Sequence, residues 1–210
     1  MTSPAAPSEP ADRQPPFGHA RVERVQRVDA RLRQRLLTIW TDVSNAGGWV
    51  GFVPPVDRHD VAPALDAALR RIHDRRDWLI VVRVPRADVD PARPGVERPD
   101  PLAPDDDIVA GFVILADNDR LLSEHWRWVI RVQIHPEFQN ARLGGVLLDG
   151  AARIAADAGL EKLHLTVRGG EGLEHFYARA GYHEVARIPG AIRVAAGDDR
   201  DQVVLVRDLT

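Results

Sequence analysis

The chain contains no cysteine among its 210 residues, which excludes a disulfide framework, thiolate-ligated zinc or iron–sulfur centres, and a covalent thiol intermediate on the chain itself. Lysine is nearly absent: of 28 basic residues only Lys162 is lysine, so positive charge is carried by planar guanidiniums with several donors each. No stretch of 18 apolar residues occurs, and the opening MTSPAAPSEPADRQPP lacks a basic segment followed by an apolar one. Neither a membrane span nor a secretory leader is expected, and a cytoplasmic location is. A large excess of charge of one sign is missing too. Twenty-eight basic against 31 acidic residues leave a formal charge of -3, which gives no footing for a nucleic-acid or anionic-membrane partner.

What is present suits one core of ordinary size, with 44% hydrophobic positions. Residues 1–16 hold five prolines and little to bury, and read as a disordered leader ahead of a single domain over 17–210. Six prolines and several aspartates in 85–107 describe a surface insertion. Between these lie an edge strand at 20–25, a helix capped by Asp29 and ending near 45–48, a helix over 60–75, and strands at 78–84 and 107–116. A long strand over 126–135 follows, in which strict alternation places Trp126, Trp128, Ile130, Val132 and Ile134 on one side. Then come a helix at 143–158, a strand at 160–167, a helix at 172–180, and final strands at 182–188 and 202–209. This order fits a mixed sheet covered by helices.

Two segments carry chemistry: IRVQIHPEFQNARLGGVLLDGAARIAADAG (130–159) and GLEHFYARAGY (172–182). The first is a strand leading through a glycine-containing turn into a helix, whose first N–H groups lack intrahelical acceptors and form an anion site suited to a diphosphate. The dinucleotide fingerprint GxGxxG and the GxxxxGK[ST] loop are both absent. Together the two segments resemble the GCN5-related N-acetyltransferase (GNAT) family: Val132, Ile134, His135 and Pro136 fit the strand end of its acetyl-CoA motif, Gln139 the first loop position, and Gly144 the last glycine. The resemblance implies an α/β fold with a mixed, mostly antiparallel central sheet flanked by helices, in which a splayed pair of strands forms the acyl-CoA cleft. It further implies acetyl-CoA as donor, held by Val132, Gln133 and Ile134 along the strand and by Gln139, Asn140, Ala141, Arg142, Leu143, Gly144 and Gly145 at the turn.

The family usually has a glycine where Arg142 stands, and another where Asn140 stands. Arg142 either lays its guanidinium on a phosphate or narrows the cradle by its bulk, and the residues do not choose between these. By resemblance Tyr177 meets the departing CoA sulfur, and a phenol with an ordinary pKa of about 10 is protonated for that task. Glu124 and His125, just ahead of the long strand, are candidate bases beside His164, Asp42 and relay through water. Trp49 and Phe52, in the GGWVGFVPP loop, are candidates for the acceptor wall; Asp198, Asp199 and Asp201, in the 188–202 connection, are candidates to attract a cation. No metal is required: HExxH is absent, and Asp105 to Asp107 lack calcium-loop spacing. The expected activity is transfer of acetyl directly to a primary amine of a small molecule, with a homodimer left open. The alternative is a catalytically degenerate acyl-CoA-binding or regulatory module.

Overall fold

The computed structural model describes residues 17–89 and 107–209. The leader at 1–16 and most of the expected insertion, 90–106, lie outside the described residues. The elements run β1 (Arg21–Val25), α1 (Ala30–Asn45), α2 (Arg58–His73), β2 (Trp78–Val84), β3 (Ile108–Ala116), β4 (Trp126–Ile134), α3 (Leu143–Asp157), β5 (Lys162–Arg168), α4 (Leu173–Arg179), β6 (His183–Ala195) and β7 (Asp198–Asp208).

Local chemistry starts the first two helices. The Asp29 carboxylate accepts the Leu32 N–H at 2.7 Å, and at α2 Asp57 accepts the Asp60 N–H at 3.0 Å while the Asp60 carboxylate accepts the Asp57 N–H at 2.8 Å, a reciprocal capping box. That box begins α2 two residues before the expected start. Pro63 therefore lies past the first turn, where it denies the His59 carbonyl its helical donor; both residues are exposed, so water can take the donor's place.

The strands form one seven-stranded sheet in the order β1-β2-β3-β4-β5-β7-β6. Every pairing is antiparallel except β4 with β5. β2 and β3 read as continuous apolar runs because both their faces are covered. Leu79, Val81, Phe112 and Ile114 pack with Leu36, Ile39, Trp40 and Leu65 of α1 and α2, whereas Ile80, Val82, Val113 and Leu115 pack with Leu143, Leu147 and Leu148 of α3.

Two sequence expectations give way here. Strict alternation in β4 is broken, since Ile114 faces Ile130 but Phe112 faces Gln133, leaving one extra residue on β4; Arg131 takes it up at φ 57°. That bulge turns Val132 and Ile134 toward the α3 core that Val129 already joins. Trp126 and Trp128 stay half-buried against His164, with Trp126 stacked on its ring at 4.0 Å. The 188–202 connection is the far end of a β6–β7 hairpin rather than a loop. Pro189 and Gly190 are absorbed where the register jumps between the Ile188–Gln202 and Ile192–Arg200 pairs, which an edge strand tolerates because its outer donors face solvent.

Candidate active site

β4 and β5 pair only through Trp126–Lys162, Arg127–Leu163 and Trp128–His164. Beyond those three pairs the strands diverge, leaving one edge of Val129 to Ile134 without a strand beside it. A parallel ladder satisfies each backbone group once, so the open edge offers donors and acceptors held in fixed directions.

The turn after β4 is shaped by side chain and backbone together. His135 ends the strand, and its Nδ1 accepts the Glu137 N–H at 3.3 Å while its Nε2 lies 3.1 Å from Asp42 Oδ2. Burial, reinforced by Arg35, holds the His135 pKa below its ordinary value. Gln139 folds back, its amide donating to the Ile134 carbonyl at 3.1 Å. Asn140 and Arg142 both take left-handed backbone, at φ 62° and 60°, so the chain follows the path that glycine would follow. Among the described residues, the N–H groups of Asn140, Ala141, Arg142, Leu143 and Gly144 have no acceptor, whereas Gly145 and Val146 donate to the Arg142 carbonyl at 3.1 and 3.3 Å.

These groups open onto a cavity of about 680 Å³ lined by Ile134, Phe138, Gln139, Asn140, Arg142, Leu143, Gly144, Gly145, Asp149, Phe176, Arg179 and Ala180. Of its two glycines only Gly144 has close surroundings. A Cβ at Gly144 would stand 3.0 Å from Phe176 Cζ, and one at Gly145 would meet nothing within 4 Å, projecting into open space. Arg142 is exposed at the rim and does not plug the turn. The cradle thus has the row of donors, room and positive charge that a diphosphate requires. Arg179 and Phe176 escape sequence reasoning, since only the docking of α4 beside α3 makes them part of this wall.

Tyr177 follows Phe176 but lies outside that lining. It packs on Phe176 at 5.0 Å and on Tyr182 at 5.7 Å, and burial pushes its phenol pKa up to about 12. Glu124 and His125 are exposed just ahead of the paired end of β4, ten and nine residues before Ile134, and the strand from Trp126 to Ile134 alone spans roughly 26 Å, so the fold does not bring them to the turn. Phe52 turns inward against Trp40 at 5.9 Å. Trp49 is 55% exposed, and its ring covers the Arg168 guanidinium at 3.5 Å. The three aspartates proposed to attract a cation are engaged: Asp199 with Arg193 at 2.7 Å, Asp201 with Arg187 at 3.4 Å, and Asp198 with Arg200.

The sequence profile of the acetyltransferase (GNAT) family matches residues 70–182, a little over half of the chain, and takes in β4, the donor-lined turn and α4. The chain belongs to the GNAT family. No curated protein sequence matches it. Its GNAT fold is shared with many solved structures. An acetyltransferase of the GNAT family from Streptococcus pneumoniae superposes with a TM-score of 0.62 at 15% identity, covering 90% of this chain and 99% of that one. A spermidine N-acetyltransferase chimera from Vibrio cholerae and hSSAT gives 0.61 at 15%, over 90% and 95%. The ribosomal-protein-S18-alanine N-acetyltransferase from Escherichia coli gives 0.56 at 12%, over 91% and 94%. At such identities the likeness is one of fold, and the last two already differ in what they acetylate.

Proposed function

We propose that this GNAT protein is an N-acetyltransferase that takes acetyl from acetyl-CoA and passes it directly to a primary amine of a small molecule. The observation that carries the reading is the row of unpartnered N–H groups from Asn140 to Gly144 beside the β4 edge that β5 leaves free. Acetyl-CoA supplies an activated acyl group on a thiol leaving group. The chain supplies its placement: the turn and the guanidiniums of Arg142 and Arg179 hold the diphosphate, and the backbone of Val132 to Ile134 aligns the amide-bearing arm. Holding donor and acceptor together removes much of the entropic barrier.

Tyr177 is the proton donor to the departing sulfur. With its pKa at about 12 it stays protonated throughout the neutral range, so it can donate but does not act as the base. Among the base candidates, Asp42 lies against His135 and Glu124 and His125 sit at the far end of β4, which favours loss of the amine proton to water.

Calorimetric titration with acetyl-CoA and thiol release over an amine panel test the reading. Tyr177→Phe is expected to lower kcat by roughly a hundredfold with acetyl-CoA affinity retained. Binding without turnover across all amines would instead support the noncatalytic module.

A further inference from the structure

Against the loop between α1 and α2 stand two guanidiniums whose charge or donors are unmet among the described residues. At the β4 bulge, Arg131 makes no ion pair or hydrogen bond among the described residues. Its guanidinium carbon lies 5.1 Å from the centre of the Trp40 ring, and Nη1 is so close to Gly51 that a Cβ there would stand 2.7 Å away. Desolvation pulls its pKa below the ordinary arginine value, the signature of a cation held without a counter-charge.

At the end of β5, Arg168 is 7% exposed. One of its terminal nitrogens meets Glu171, while Nε and Nη1 are buried with no partner. Two residues past Arg131, the Gln133 side chain is 1% exposed with both amide atoms unpartnered.

The same loop touches both cations, Arg131 at Gly51 and Arg168 at Trp49. Two residues of chain span at most about 7 Å, so the two guanidiniums address one region of the cleft, where β4 and β5 have separated. Ile130 and Thr166 are exposed on these strands beyond their last pair. Glu171 offsets one cation, and among the described residues none forms an ion pair with the other. A polycationic acceptor would meet like charge there, whereas a carboxylate would take a guanidinium in paired, charge-assisted hydrogen bonds.

We propose that the acceptor carries a carboxylate close to its amine, as an amino acid does, and that Arg131 binds that carboxylate, with Arg168 adding charge from the facing strand. This rests on the transferase reading and names its substrate class. Gly51 has a positional role in it, keeping the loop low enough to lie on the Arg131 guanidinium.

The test compares α-amino acids with their carboxamides and with spermidine, each in thiol release with acetyl-CoA, alongside calorimetric binding of acetyl-CoA alone. Removing the carboxylate lowers the amine pKa and frees more of the neutral nucleophile, so an intrinsic bias would favour the amides. The expected result is a KM for the preferred acid about 10- to 100-fold below that of its amide. Arg131→Gly, which suits the positive φ and so keeps the bulge, should collapse that ratio toward one, and Arg131→Lys should restore part of it. Amides or spermidine used as well as the acids, an unchanged ratio in Arg131→Gly, or no acid acetylated while another amine is, each with acetyl-CoA binding intact, would overturn the substrate class and leave the transferase standing. Failure to bind acetyl-CoA would remove both.

Discussion

At Arg142 and Asn140 the backbone holds φ near 60°, a conformation in which a side chain costs about 1 kcal/mol relative to glycine. Asparagine tolerates this conformation better than most residues, but Arg142 is not excused by local capping, since it precedes α3 without a side-chain hydrogen bond to the helix. The strain at 142 has a use if the guanidinium at the cavity rim meets a phosphate. Arg142→Gly should therefore raise the urea midpoint while weakening acetyl-CoA several-fold, as expected for the loss of one charge-assisted contact. Arg142→Ala should weaken binding similarly without that gain in stability, because alanine keeps the Cβ. Denaturation curves and calorimetry on the two variants separate strain from charge. At this scale the loop residues were legible, because a strand end, a short turn and two helical glycines stand together in the chain. That Arg142 leaves the cradle open was not, since a side chain's reach depends on the space that α4 defines.

Among the elements, β4 does most to shape the site, and it departs most from its apparent pattern. Alternation along Trp126 to Ile134 suggests one continuous apolar face, but an inserted residue is invisible to a period-two reading until a partner strand counts against it. The closed end of the strand pair is held by the Trp126–His164 stack, and there pH enters. Burial first, then Lys162 and His125, lower the His164 pKa below its ordinary value. A histidine kept neutral in the fold lends stability that is complete above the unfolded pKa of about 6.5 and is lost as pH falls below it, because the unfolded chain takes up the proton first. His135 acts in the same direction. Melting temperature should fall between pH 7 and pH 5, and His164→Phe, which preserves the stacking, should make that fall shallower with little change at pH 8. An equally steep fall in the variant would place the acid sensitivity elsewhere.

For the molecule as a whole, separate elements must be tied together on the two faces of one sheet. Arg71, in the last turn of α2, donates to Asp77 ahead of β2 at 2.8 and 3.0 Å and to Asp119 in the β3–β4 turn at 3.1 Å, while Asp77 also accepts the Asp117 N–H at 3.0 Å. The Asp77 side chain is only 4% exposed, so Arg71→Ala strands a buried carboxylate and should cost about 2 kcal/mol in urea denaturation, somewhat below the value for a fully buried pair because Arg71 is partly solvated. Arg71→Met should cost nearly as much, which would show that charge rather than packing matters.

Element order and the position of the donor-lined turn were readable from the chain because they rest on local rules: hydrophobic period, capping carboxylates, glycine at a strand–helix junction. The bulge in β4, the length of the β6–β7 hairpin, the remoteness of Glu124 and His125, and the Arg131 guanidinium left without an ion pair among the described residues could not be read this way. Each depends on which strand lies beside which, and on whether a charge finds a partner far along the chain. Such pairings are made by packing in three dimensions, and no spacing between neighbours in the sequence records them.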